Sequence, residues 1–155
     1  MSANSPLNFE RYVHDANKYF KDLAQEIKPA EDINRVFIVW RAVMHTLRDR
    51  IHMGESLDLL SQLPMILKGL YVENWQHHEQ SPLQYETLEE MARQVEELQS
   101  KYGEDQFNWE MSTEDIIGVI LSSLDPYISQ GQWDHIKAQL PDDIHSIIES
   151  AHHPS

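Results

Sequence analysis

The chain reads as all-α, a compact bundle of about eight helices built from two tandem four-helix repeats. Three observations predict this. Only five glycines occur in 155 residues, and no long stretch alternates in polarity. Apolar residues recur instead at spacings of three and four, the period of a helix with one buried face. The text of the first half is then repeated in the second, in nearly constant register.

The elements follow in order. Phe9, Tyr12, Val13, Ala16, Tyr19, Phe20, Leu23 and Ile27 form one apolar stripe and predict a first helix. Ser5 before Pro6 has the form of an N-cap with proline in the first turn, and Pro29 ends the helix. Val36, Val39, Trp40, Val43, Met44, Leu47 and Ile51 predict a second helix with Trp40 in the core. Glu31 and Asp32 stand where a helix N-terminus favours negative charge. Gly54 is expected to break that helix. A short segment from Leu57 to Gln62 follows, and Pro64 opens a helix running through Trp75.

Ser81-Pro82-Leu83 repeats Ser5-Pro6-Leu7 at an offset of 76, with Tyr85 over Phe9, Leu88 over Tyr12 and Ala92 over Ala16. Further on the offset is 77 without a gap: Leu124 over Leu47, Ile128 over Ile51, Gly131 over Gly54, and Gln139-Leu140-Pro141 over Gln62-Leu63-Pro64. The repeats run approximately over 5–78 and 81–152, and one domain spans 1–155. A residue before proline avoids the helical region, so Leu63 and Leu140 mark tight corners ahead of Pro64 and Pro141. Gln62 and Gln139 are placed to bond the orphan amides there, a structural role, since an amide exchanges no proton near neutrality.

The run Trp40-Arg41-Ala42-Val43-Met44-His45-Thr46-Leu47-Arg48-Asp49-Arg50-Ile51, then Gln62-Leu63-Pro64-Met65, Lys68-Gly69-Leu70-Tyr71 and Trp75, resembles the prokaryotic domain-of-unknown-function family numbered 2267. The resemblance covers nearly the whole chain, including the second Gln139-Leu140-Pro141. It implies an all-helical fold of two similar halves and carries no activity. Where the family usually has glycine just before the tryptophan, this chain has Asn74.

Charge is uneven. Residues 1–78 hold nine basic and ten acidic side chains, residues 79–155 three and 16, and the whole chain is −14. Such a surface repels phosphate backbones and anionic bilayers, so neither nucleic acid nor membrane is expected as a partner. The absence of cysteine excludes disulfides and thiolate chemistry. The polar start Met1-Ser2-Ala3-Asn4 has no signal-peptide character, and a cytoplasmic location is expected. The second half's acids, Glu89, Glu96 and Glu97 among them, read either as a solvated face or as a docking surface for a basic protein.

The first half diverges at one place in particular. Arg48, Asp49 and Arg50 stand opposite Asp125, Pro126 and Tyr127, and Lys68-Gly69 opposite His145-Ser146. Arg48 and Arg50 suit a bidentate clamp on a carboxylate or phosphate; equally, one of them can pair with Asp49 or a helix C-terminus and tie the corner. His45, Asp49 and His52, and His145, Glu149 and His152, lie at i, i+4, i+7, a spacing that puts each trio on one helical face. The trios are not repeat equivalents, and unliganded histidine is the expectation there and at His77-His78, so neither a metal nor another cofactor is expected. Trp109, in an acidic loop before the Ser112/Thr113 cap, is either a partner anchor or a staple on the helix start.

Two readings follow. One is a non-enzymatic interaction module docking on a protein, basic in character, or on its own copies. The other is a small-ligand or metal-binding enzyme with a pocket near Arg48, Arg50, Tyr71 and Trp75.

Overall fold

A computed structural model describes residues 8–27, 32–104 and 106–152, the last three without their side chains. Among the described residues the protein is all-helical: α1 (Phe9–Glu26), α2 (Ile33–Arg48), α3 (Met53–Gln62), α4 (Met65–Tyr71), α5 (Leu88–Lys101), α6 (Thr113–Ser122), α7 (Gln130–Lys137) and α8 (Asp142–His152). No helix among them is long and apolar enough to cross a membrane.

Side-chain caps start most of the helices. Asn8 accepts from the Arg11 amide at 3.1 Å, Asp32 from Asn34 at 2.9 Å and Thr87 from Glu90 at 3.1 Å. Ser112 and Ser129 do the same for α6 and α7. The expected cap at Ser5-Pro6, the stop at Pro29 and the charge at Glu31 lie outside the described residues. Asp32 does sit at the start of α2, as its N-cap.

Three boundaries differ from expectation. α2 stops at Arg48 rather than at Gly54, which lies in the first turn of α3 with open space around it. The chain turns at Asp49 because the segment before α5 takes the end of α2, with Leu83 N–H donating to the Asp49 carbonyl at 3.2 Å. The short segment expected at Leu57–Gln62 therefore extends back to Met53. α4 ends at Tyr71 rather than at Trp75, since Asn74 takes a left-handed φ of 58° and reverses the chain. Asparagine is among the few non-glycine residues that tolerate this region, which accounts for its standing where the resembled family has glycine.

α2 is the axial element, packed by α1, α4, α5 and α6, while α6 packs closely on α8. Gly118 permits that approach, since a Cβ there would lie 3.0 Å from the Ile147 carbonyl oxygen. From Ala42 to Arg48 every residue of α2 is buried, polar ones included. One apolar core runs through both halves, from Leu23 and Val36 to Ile120, Trp133 and Ile148. The α1 stripe is buried only from Tyr19 onward. Phe9 and Val13 are 66% and 51% exposed.

Trp40 has no exposed surface, donates Nε1–H to the Tyr19 hydroxyl at 2.9 Å and meets the Tyr19 and Phe20 rings edge-on. Trp40→Ala is therefore expected to cost about 3–5 kcal/mol. A urea titration followed by circular dichroism measures it; a midpoint near wild type would contradict the placement.

Candidate functional site

The buried end of α2 carries a charge. Arg48 is 3% exposed, and its guanidinium donates through Nε at 2.9 Å and Nη2 at 3.2 Å to the Asp49 carboxylate. Nη1 donates to the carbonyl oxygens of Tyr71 and Glu73, both at 2.8 Å. A cation on the last carbonyls of α4 complements the helix dipole there. Tyr71 lies beneath, its hydroxyl 2.6 Å from Ser56 Oγ, which in turn donates to the Arg48 carbonyl. Burial first pushes the Tyr71 phenol far above its ordinary pKa, keeping it neutral. Trp75 packs edge-on against Tyr71, with the Arg48 guanidinium 5.7 Å from its ring centre. Arg50 donates to the Tyr85 carbonyl at 3.0 Å, and Lys68 is half-buried on α4. The structure thus brings Arg48, Asp49, Tyr71 and Trp75 together, and commits Arg48 to the Asp49 carboxylate and two backbone carbonyls and Arg50 to a third.

His45 is committed in the same way. With 1% of its surface exposed, it sits 2.7 Å from the Leu70 carbonyl through Nε2 and 2.7 Å from the Tyr102 hydroxyl through Nδ1. A carbonyl only accepts, so Nε2 carries the proton and Nδ1 accepts from Tyr102. Burial, with Arg48 and Arg41 adding to it, pushes the imidazole down to about 4 against the opposing Leu70 bond. Asp49 holds Arg48, and His52 is the exposed residue before α3. In the other trio His145 meets the Lys137 carbonyl, Glu149 is 4.0 Å from the Lys137 ammonium, and the His152 side chain is outside the description. Among the described residues no three His, Cys, Asp or Glu stand where they would hold a metal ion.

The two Gln-Leu-Pro corners reach across to each other. Leu63 and Pro64 are both extended, as a residue before proline and a helix start require. The glutamines, however, do not bond their own corners. Gln62 Oε1 accepts from the Ser129 amide at 3.1 Å, and Gln139 Oε1 accepts from the His52 amide at 2.7 Å. Gln62 Nε2 donates to Gln132 at 3.0 Å, and Gln139 Nε2 donates to Glu55 at 3.0 Å. Each glutamine serves the helix start of the opposite half, because α3 and α7 lie side by side.

The acidic residues divide. Glu89 and Glu97 are exposed on α5, whereas Glu96 accepts from the Thr113 hydroxyl at 2.6 Å and anchors α6. Glu104 is buried against Arg35 at 3.3 Å, and Arg35 lies 4.1 Å over the Trp109 ring. Trp109 therefore packs against the core, in the manner of a staple.

A concavity lies elsewhere. A cleft of about 820 Å³ opens between α1 and α6, floored by Tyr19, Leu23 and Val119 and bounded at one end by Pro126 and Tyr127. Asp15, Asp22, Glu26 and Asp125 line it, and among the described lining residues one ammonium, Lys18, is held by Asp22 at 2.9 Å. A second hollow of about 280 Å³ continues it toward Tyr12 and Met65 and shares Asp15, Tyr19, Pro64 and Tyr127. Burial, followed by the nearby Asp15 carboxylate, raises the Tyr127 phenol.

Residues 16–147 match the family model DUF2267, described as an uncharacterized conserved protein. The chain belongs to the DUF2267 family. No curated protein matches it. In this DUF2267 chain the match takes in the Arg48 network, both Gln-Leu-Pro corners and the α6 wall of the cleft.

The sequence reading sets Asp15, Asp22 and Glu26 outside the docking surface, because acids on the outer face of an amphipathic helix look like ordinary solvation. The one available signal is the divergence of Asp125-Pro126-Tyr127 from Arg48-Asp49-Arg50, all three of which line the cleft.

Two outcomes are expected from the corner. Arg48→Ala leaves Asp49 without its cation and the α4 carbonyls without a donor, and should cost about 3–5 kcal/mol in a urea titration. His45, neutral when folded, binds its proton near pH 6.5 when unfolded, so its contribution is full above that pH and fades as pH falls toward 4. The loss is worth about 3 kcal/mol across that window. His45→Gln should flatten the pH dependence of unfolding by that amount; an unchanged slope would contradict it.

Proposed function

We propose that this DUF2267 chain is a non-enzymatic protein-interaction module of the cytoplasm, with the cleft between α1 and α6 as its docking surface. The observation that carries this reading is a division of labour. The groups with chemistry to offer (Arg48, Asp49, His45, Tyr71) are all bonded within the protein, while the cleft is lined by carboxylates and two tyrosines. That leaves little support for a ligand- or metal-binding enzyme around Arg48, Arg50 and Tyr71.

The charge distribution fits the same reading. A half that carries 16 acidic and three basic side chains draws in a basic protein and repels nucleic acid. Exposed Glu89 and Glu97 extend that field away from the cleft. We also take the halves to be copies sharing one domain. α3 and α7 begin at residues 53 and 130, and α4 and α8 at residues 65 and 142, in the register read from the sequence. The reciprocal bonds of Gln62 and Gln139 follow that register too.

A photo-crosslinking side chain placed at Asp22 or Tyr127 should yield protein adducts in the native host, and one at Lys68 should not. Adducts of two copies of the chain would identify self-association. Adducts confined to Lys68, or none from the cleft when Glu89 and Glu97 positions yield them, would move or remove the proposed surface.

A further inference from the structure

Where α3 lies beside α7, the two halves meet through a short file of polar side chains whose donors and acceptors can be followed one by one. His52 and Ser129 are equivalents at the register of 77, and each is the N-cap residue of its helix. Their backbone amides only donate, so Gln139 and Gln62 turn Oε1 toward them, at 2.7 and 3.1 Å. That leaves the Nε2 group of each glutamine as a donor aimed along the seam. Gln62 Nε2 donates to Gln132 Oε1, and Gln139 Nε2 donates to Glu55 Oε1, both at 3.0 Å. Glu55 and Gln132 are themselves equivalents in the register. They meet in the middle, where Gln132 Nε2 donates to Glu55 Oε2.

We propose that Glu55 and Gln132 are a recognition pair that lets this seam close only between unlike halves. Each of the two central residues has to offer an oxygen to the outer glutamine of the other half. With glutamine at both positions, the groups left to face each other are both Nε2, donor against donor. With glutamate at both, two carboxylates face each other, and neither has a proton to give. One acid and one amide satisfy every group in the file. The Glu55 side chain is only 12% exposed, so a mismatch there has little water to relieve it. A first half set against the first half of a second copy would bring two glutamates together. Two second halves would bring two glutamines together. The surface of α3 is therefore made for an α7 and not for another α3.

The placing of the acid follows from its neighbours. His135 Nδ1 on α7 lies 3.9 Å from Glu55 Oε1, and an imidazole can carry positive charge. The equivalent of His135 in the first half is Asp58. In the same register, an acid at position 132 would have that aspartate for its neighbour, a like charge. The first half therefore holds the carboxylate and the second half holds the amide.

The test is a set of urea titrations of the full chain, followed by circular dichroism, on Glu55→Gln, Gln132→Glu and the two combined. Each single substitution should lower the folding equilibrium constant about tenfold, because it sets like groups in contact. The double exchange should recover most of either loss, since it rebuilds one acid and one amide in mirrored order. The two single variants should also differ in their response to acid. In Gln132→Glu the facing carboxylates bind a shared proton more readily when folded, so its deficit against wild type should shrink as pH falls from 7 toward about 5. The deficit of Glu55→Gln should show no such recovery. Losses that simply add in the double exchange would overturn the proposal, as would a single substitution that costs nothing. If Gln132→Glu does not fold at neutral pH, a folded double exchange supports the pairing rule and an unfolded one overturns it.

Discussion

A guanidinium at the end of a buried helix has to be satisfied within the protein, and much of the first half is arranged around doing so. Arg48 lies inside because α2 is enclosed by α1, α4, α5 and α6, so its final turn has no route to solvent. Taking such a charge out of water costs several kcal/mol unless it is paired and hydrogen-bonded. Asp49 supplies the countercharge, and the Tyr71 and Glu73 carbonyls supply acceptors. The Tyr71 carbonyl is an orphan of the α4 terminus and Glu73 follows its C-cap, so a single side chain resolves two problems: its own desolvation and the helix end. The short α4, the Ser56–Tyr71 bond and the reversal at Asn74 all follow from having to bring that terminus to Arg48.

The second half meets the same position with a different chemistry. Asp125 replaces the arginine, and the residues that completed the network change with it. Ser56 gives way to Trp133, and Tyr71 to Ile148, at the register of 77. Both replacements are buried, so the polar pair has become an apolar one, which packs without needing a partner for a hydroxyl. Asp125 and Pro126 are exposed at that position and line the cleft.

Helix periodicity made the fold class legible, and the repeated Ser-Pro-Leu and Gln-Leu-Pro tripeptides indicated its two-part plan. Boundaries were harder wherever tertiary contacts set them. Gly54 looked like a stop because glycine weakens helices, yet α2 had ended six residues earlier at a turn fixed by Leu83. Trp75 looked helical because it continued the apolar spacing, and only the conformation at Asn74 removed it. Arg48 was recognised as a residue of consequence, with pairing to Asp49 foreseen, but its burial was not legible. Solvent access to a helix end depends on what packs there from elsewhere in the chain. The glutamines were placed correctly as partners of orphan amides but assigned to the wrong ones, since sequence spacing shows nothing of α3 lying beside α7.

The acidic bias becomes intelligible beside the two corners. Like charges at this density oppose compaction, and a handful of mixed charges would keep a bundle of this size soluble. Several of the acids have local duties. Glu96 ties the start of α6, Glu104 is buried with Arg35, and Asp143 caps α5 through the Leu88 amide at 2.9 Å. Those duties account for particular carboxylates and not for the excess, because Glu89, Glu97 and Asp142 remain exposed. The excess lies in the half where the register sets Asp125-Pro126-Tyr127 against Arg48-Asp49-Arg50. A surface that must attract a cationic chain from solution is served by charge spread beyond the seat itself, since exposed charges act over about 8 Å at physiological salt. Under the proposed function the field of α5 would draw a basic protein near, and the carboxylates of α1 would line the cleft on which it docks.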